Sequence, residues 1–92
     1  MRSVYIGHIE CSPAVAEKIS SKHGISLQDV RDAVQWPARP LRAARLGEEI
    51  DRRGPRLAAE GLTASGRILK VVLYPVDEAE GIWRLGTAVP LV

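Results

Sequence analysis

The strongest constraint on the fold lies in residues 12–37, where the signals for two helices meet at one corner. In "CSPAVAEKISSKHG", Ser12 is suited to accept backbone N–H bonds as an N-cap, and Pro13 fits the first helical position. Gly24 can take the left-handed conformation that ends a helix. The sequence therefore predicts a first helix that starts at Pro13 and ends at His23.

The second helix is predicted directly after this corner, in "ISLQDV". Ser26 as N-cap and Asp29 three residues later approximate a capping box, in which each residue bonds the backbone N–H of the other. Pro37 prevents the helix from continuing beyond Trp36. We expect Trp36, like Trp83, to lie in or near the core, although an exposed Trp83 could stack on a base.

Outside the helices, the apolar pattern changes to period two, which is typical of strands. Strands are predicted for "SVYIGHIE" near residues 3–9, "PLRAAR", "RLAAEGLT" (56–63, weakened by Gly61), "ILKVVLY" (68–74) and "IWRLGTA" (82–88). The predicted fold is α+β: β-α-α followed by an antiparallel β-meander, with the helices packed on one face of the sheet. Residues 1–92 form one domain, because no linker or repeat divides them.

Alternation along the predicted strands decides which side chains share a face. If the odd-numbered residues 69–73 face the helices, then Lys70, Tyr74 and Arg84 point away from them. Glu60 joins this second face if its strand has the matching parity. The face is either an ordinary solvated surface or a polar binding surface.

Cysteine content and hydropathy exclude several classes of protein. Cys11 is the one cysteine, which excludes an internal disulfide or a multi-cysteine zinc site and fits a reducing cytoplasm. His8 lies three residues before it, but no second pair of ligands follows, so we expect no metal and no cofactor. No apolar run approaches the roughly 20 residues needed to span a bilayer, and we expect a cytoplasmic protein.

The basic residues point weakly to phosphate. The net charge of +2 is too small to indicate a nucleic-acid-binding protein, yet ten of the thirteen basic residues are arginine, whose planar fork suits phosphate. A GC-rich genome would explain the same bias. Arg39, Arg42, Arg45, Arg52, Arg53 and Arg56 are concentrated in residues 39–56. A nucleic-acid-binding accessory domain that uses this segment is therefore a third, weaker hypothesis.

The order of the motifs resembles that of a known family. "CSPAVAEKISSKHGISLQDV" resembles, without gaps, the helical opening of BrnT-type toxins, which runs Asp-Pro-x-Lys-Ala and then Lys-His-Gly-Val-Ser-Phe. "RLAAEGLTASGRILKVVLY" is similar to their Arg…Gly-x-Thr…Gly-Arg strand pair, and "WRLGTAV" lies where they have Arg-x-Ile-Ser-Ala-Arg. "HGISLQDV" and "TAVP" are also similar to a related RelE-like family of unknown function. The resemblance covers about residues 9–36 and 56–90.

This resemblance implies a RelE/ParE-like fold and a metal-independent endoribonuclease, the toxin of a type II toxin–antitoxin system with a cognate antitoxin as partner. RNA would be the substrate, and whether the chain forms a homo-oligomer stays open. The polar positions of the family match Lys22, His23, Arg56, Arg67, Tyr74, Arg84 and Thr87 of this chain. The family's usual lysine and second arginine are replaced by Val15 and Val89. A non-catalytic interaction module that has lost these cations is therefore the alternative.

Cleavage of RNA by its own 2′-OH requires a group that moves a proton and cations that stabilise charge on the phosphoryl oxygens. We expect Arg67 and Arg84 to supply the cations, and His23 or Tyr74 the proton transfer, although His23 is more simply explained as a helix-end residue. The residues expected to contact RNA are Lys22, Arg56, Lys70 and Thr87.

Overall fold

A computed structural model describes residues 4–47 and 54–91 of the chain. Its elements are β1 (His8–Glu10), α1 (Pro13–His23), α2 (Leu27–Val34), β2 (Arg42–Leu46), β3 (Arg56–Leu62), β4 (Ile68–Asp77) and β5 (Ile82–Pro90). These strands form one five-stranded sheet in the order β1-β5-β4-β3-β2. β1 runs parallel to β5, and the other neighbouring pairs are antiparallel. The predicted α+β class is confirmed, with a mixed sheet.

The ends of α1 are closed by the predicted residues. The Ser12 hydroxyl accepts a hydrogen bond from the Val15 backbone N–H at 3.2 Å, and Pro13 is the first helical residue. Gly24 has a φ of 62°, and its N–H donates to the Ser20 carbonyl at 2.9 Å. This is the single bond of an αL cap, and the next N–H, that of Ile25, reaches the Ile19 carbonyl at 3.2 Å.

The capping box of α2 is also present. The Asp29 N–H donates to the Ser26 hydroxyl and the Ser26 N–H donates to the Asp29 carboxylate, both at 3.0 Å. Val30 and Val34 of α2 are fully buried. The sequence signals therefore correctly predict both the corner and the face that α2 turns to the core.

One face of the sheet is apolar and carries both helices. α1 packs against β5, and α2 packs against β3 and β4. The largest buried side chain is that of Trp83, whose indole N–H donates to the Tyr5 carbonyl at 3.0 Å. The core comprises Ile6, Ile9, Ile19, Ile25, Val30, Ala33, Val34, Leu57, Ala59, Leu69, Val71, Leu73, Trp83, Leu85 and Ala88.

Close contact between α2 and the sheet depends on a glycine. A Cβ atom added to Gly61 of β3 would collide with the Ala33 carbonyl oxygen of α2 and would lie 2.7 Å from the carbonyl carbon. Both neighbours are backbone atoms of a helix, so neither can rotate away. The glycine that weakens the sequence signal of this strand is therefore the residue that admits the helix.

The first strand is shorter than predicted. The sequence pattern favours a strand near residues 3–9, but β1 starts only at His8, and residue 3 lies outside the described residues. The reason is the partner strand, since β5 begins at Ile82, which pairs with His8. Residues before His8 therefore have no strand beside them, although the N–H groups of Gly7 and His8 both donate to the Gly81 carbonyl.

The prediction that Trp36 lies in or near the core is wrong, since the residue is 65% exposed. α2 ends at Val34, and Gln35 is already extended. Trp36 therefore does not continue the buried face of the helix, and its N–H bonds instead to the Ile6 carbonyl at 2.7 Å. Trp83, in contrast, is in the core as predicted, with 0% exposure.

None of the helices in the described part of the chain is both long and apolar enough to cross a bilayer.

Replacement of Gly24 by valine should lower the free energy of unfolding by about 1–2 kcal/mol, because L-residues resist the left-handed conformation. No atom lies within 4 Å of a Cβ added at Gly24, so the expected loss comes from the backbone conformation and not from a steric clash. Thermal or denaturant unfolding measures the effect, and Gly24→Asn is the control because asparagine tolerates this conformation. Equal stability of the two variants would contradict the assignment of the cap.

Replacement of Gly61 by alanine should lower the free energy of unfolding by about 1–3 kcal/mol, the usual range for an overpacked core. The added methyl group can be accommodated only if α2 moves away from β3. Ala44→Val, which adds more volume at an exposed strand position, should change stability by less than about 0.5 kcal/mol. If denaturant unfolding shows Gly61→Ala to be as stable as the parent chain, the contact does not limit the packing.

Candidate functional site

The sheet face opposite the helices carries most of the polar side chains that the sequence singled out. Leu69, Val71 and Leu73 are buried under the helices, so the side chains between them lie on the other side, as predicted. We call this second side the open face. Its polar residues are His8, Glu10, Arg42, Arg56, Glu60, Lys70, Tyr74, Arg84 and Thr87.

Tyr74 and Arg84 form a pair near the centre of the open face. They are in register across β4 and β5, and the guanidinium carbon lies 6.0 Å from the centre of the phenol ring. The distance is at the outer limit of a cation–π contact. A Cβ atom at Gly86 would come within 2.5 Å of the Tyr74 ring, so this glycine makes room for the ring to lie flat across β5.

A carboxylate completes a row with this pair. Glu10 of β1 is in register with Arg84, which is in register with Tyr74. Adjacent strands are about 4.8 Å apart, so Arg84 has an acidic residue on one neighbouring strand and a tyrosine on the other. We call these three residues the Glu10–Arg84–Tyr74 row. It combines one phosphate-binding group with two groups able to exchange protons.

A second charged row lies further along the same face. Glu60 of β3 is in register with Arg42 of β2 on one side and Lys70 of β4 on the other. Lys70 and Tyr74 are four residues apart on one strand, which places the two rows about 13 Å apart. Glu60 is therefore too far from Arg84 to act on the same phosphate.

Arg67 lies elsewhere. Its guanidinium group donates to the carbonyl oxygens of His23 and Gly24, each at 3.2 Å, and so caps the carboxyl end of α1. The cation is also favourable there because the helix dipole is negative at this end. The Arg67 backbone N–H is fixed by the Thr63 hydroxyl at 3.1 Å. Arg67 therefore acts as a structural cap of α1.

The predicted site residues therefore divide into two groups. Lys22 and His23 lie in the last turn of α1, on the helix side of the sheet, where Arg67 bonds the His23 carbonyl. Arg84, the cation expected to work with Arg67, lies on the open face. The predicted residues on that face are Arg56, Lys70, Tyr74, Arg84 and Thr87.

Within the open-face group, Arg56 is held by the loop that precedes its strand. Its guanidinium group donates to the Gly54 carbonyl at 3.2 Å and is half-buried. Thr87 is in register with Val72 of β4, which lies two residues before Tyr74 on the same face. Lys70 and Arg84 therefore offer their charges most directly to a ligand on this face.

Sequence reasoning missed Glu10 and Arg42 as members of this face. Glu10 lies beyond the predicted end of the first strand, so its parity was undefined. Arg42 was noticed only as part of an arginine-rich segment, of which Arg52 and Arg53 lie outside the described residues. The register of the short strands β1 and β2 supplies the missing information, because it aligns these residues with Arg84 and Glu60.

Other chemistries find little support. Burial raises the pKa of the Cys11 thiol, which disfavours the thiolate that a nucleophilic cysteine requires. Across residues 4–47 and 54–91, no three side chains of histidine, cysteine, aspartate or glutamate converge as metal ligands would. The open face is the arrangement that most closely fits a chemical function.

Neither a family model, nor a curated protein, nor a solved structure matches this chain. Its function is therefore inferred from the site itself.

Replacement of Arg67 by alanine should lower the free energy of unfolding by about 1 kcal/mol, because the helix-end carbonyls lose a charged donor. The Arg84→Ala variant should differ from the parent by less than about 0.5 kcal/mol, since this exposed side chain supports no helix end. Denaturant unfolding of the two variants tests this difference. Equal losses of stability would contradict the division of the two arginines into a structural and a functional one.

Proposed function

We propose that this protein is a metal-independent endoribonuclease that binds single-stranded RNA on the open face. The observation that carries the proposal is the Glu10–Arg84–Tyr74 row, a guanidinium group between two proton-exchanging groups on an accessible sheet face. Lys70 adds a second cation to the same face. Phosphate binding and proton transfer are the two requirements of RNA cleavage by the adjacent 2′-OH.

The roles follow from the chemistry of each side chain. The Glu10 carboxylate removes the proton of the 2′-OH, and the 2′-oxygen attacks the adjacent phosphorus. Arg84 stabilises the charge that develops on the phosphoryl oxygens. The Tyr74 hydroxyl donates its proton to the departing 5′-oxygen. The products are a 2′,3′-cyclic phosphate and a 5′-hydroxyl, with the RNA strand oriented by Lys70 through its backbone.

This assignment gives His23 and Lys22 no part in the reaction. They lie with Arg67 at the end of α1, on the side of the sheet that carries the helices. His23 lies on the other side of the sheet from the Glu10–Arg84–Tyr74 row, and its carbonyl oxygen accepts a hydrogen bond from Arg67. Its place in the fold is that of a helix-end residue.

The biological setting that we propose is that of a type II toxin, held inactive by a cognate protein antitoxin in the cytoplasm. The resemblance to BrnT-type and other RelE-like toxins supports it, as does the succession of one strand, two helices and four strands. We propose a RelE/ParE-like topology on the same grounds.

A non-catalytic interaction module is the second candidate. One observation favours it: Val89 is in register with Lys70 on the open face, at the position where the resembling toxins carry an arginine. Arg67, a further cation of the predicted site, is used to cap α1. The open face therefore has fewer cations than the resemblance to BrnT-type toxins implies.

The test is incubation of the purified chain with single-stranded RNA, and separately with translating ribosomes, in the presence of EDTA. We expect cleavage products that end in a 2′,3′-cyclic phosphate. The Arg84→Ala variant should be slower by about 100-fold or more, as for removal of a group that stabilises transition-state charge. Tyr74→Phe and Glu10→Gln should each be slower by about 100-fold, because each lacks one proton-transfer group.

Arg39→Ala is the matched control, because it removes an exposed arginine outside the row and should leave the rate unchanged. Arg67→Ala should retain cleavage under conditions in which it is folded. Intact RNA with both substrates would reject the ribonuclease and favour the interaction module. Equal rates for the parent and Arg84→Ala would remove the row from the reaction.

A further inference from the structure

We propose that the outer edge of β2 binds an extended segment of a partner protein in which apolar and acidic residues alternate. The segment would add a sixth strand to the sheet. The proposal concerns a different surface from the Glu10–Arg84–Tyr74 row and holds whether or not the open face cleaves RNA.

Among residues 4–47 and 54–91, no strand pairs with the outer edge of β2. β2 is the last strand of the sheet and pairs with β3 on one side, and all five of its residues are exposed. The opposite edge, β1, has three residues, of which Ile9 is 1% exposed. An exposed edge presents a row of backbone N–H and C=O groups that can accept another strand.

An apolar groove lies along the helix-side face of β2. Its volume is about 1,010 Å³, and Ala43 of β2 and Leu57 of β3 form part of its wall. Trp36 borders the groove with 65% exposure, and Leu41, which directly precedes β2, is 60% exposed. Exposed tryptophan side chains commonly anchor protein interfaces. The groove is therefore suited to the apolar side chains of an added strand.

The other face of the edge carries one cation, Arg42, and the groove side carries Arg39 and Arg45. Side chains of an added strand alternate between the two faces, so every second residue would lie on the open-face side, beside Arg42. Arg39 is exposed at the rim of the groove. On the groove side of β2, Arg45 already binds the Glu78 carboxylate with two hydrogen bonds of 2.7 and 2.8 Å, so a carboxylate is an accepted partner of this edge. Acidic residues on the partner are the complement of this edge.

The same charges disfavour a second copy of the chain as the occupant. Antiparallel pairing of β2 with β2 along its full length would place Arg42 opposite Leu46 and Arg45 opposite Ala43, so the four arginines of two copies would share one short ladder with no carboxylate on either strand. Charged residues on an edge strand are a common means of preventing self-association. An acidic partner strand converts this repulsion into attraction.

The experiment is selection of binders from a library of nine-residue peptides of random sequence, presented to the parent chain and to variants. Peptides bound by the parent should show apolar and acidic residues in strict alternation. The Arg42→Glu variant should select basic residues at the acidic positions. Trp36→Ala should weaken binding of the best parent-selected peptide by about tenfold or more, as for a hot-spot residue. Lys22→Glu, a charge reversal at an exposed position of α1, is the control and should select the same peptides as the parent.

Several results would overturn the proposal. They are the absence of enriched peptides, enrichment with the three- or four-residue spacing of a helix, or unchanged selection by Arg42→Glu. A concentration-dependent dimer in sedimentation, with amide shifts confined to β2, would assign the edge to a second copy instead. Displacement of the selected peptide by single-stranded RNA would assign the edge of β2 to nucleic acid.

Discussion

The direct contact of α2 with the sheet at Gly61 is the constraint on which the rest of the structure depends. The helix backbone at Ala33 occupies the space that a side chain at this position would need. This close approach allows Val30 and Val34 to reach the apolar face formed by the central strands. Both helices then share that face, and the polar side chains of alternate strand positions are left together on the other. The open face is thus a consequence of the packing on the opposite side.

The second consequence of this arrangement is a division of the basic residues. Arg67 directly precedes β4, beside the carboxyl end of α1, and donates to two carbonyl oxygens there. Arg84 lies on the opposite side of the sheet, between Glu10 and Tyr74. Two arginines that are equivalent as sequence signals therefore have different roles. One stabilises the helix corner, and the other is the cation on which the proposed RNA chemistry depends.

Local chemistry made much of the fold predictable. The caps at Ser12 and Ser26 and the left-handed Gly24 involve neighbours within a few residues, so their sequence signals suffice. The parity of β4 follows from alternation alone. The exposure of Trp36 and the place of Glu10 were not predictable in this way. Both depend on contacts with distant segments, namely the Ile6 carbonyl and the parallel strand β5.

The most direct test of this account is to map where RNA binds, independently of whether it is cleaved. The isotopically labelled chain would be titrated with a short single-stranded RNA blocked by 2′-O-methyl groups, and the amide shifts followed by NMR. We predict that the shifts concentrate at Glu10, Lys70, Tyr74 and Arg84, on the open face. Shifts concentrated instead at the end of α1, around His23 and Arg67, or no shifts at all, would contradict it.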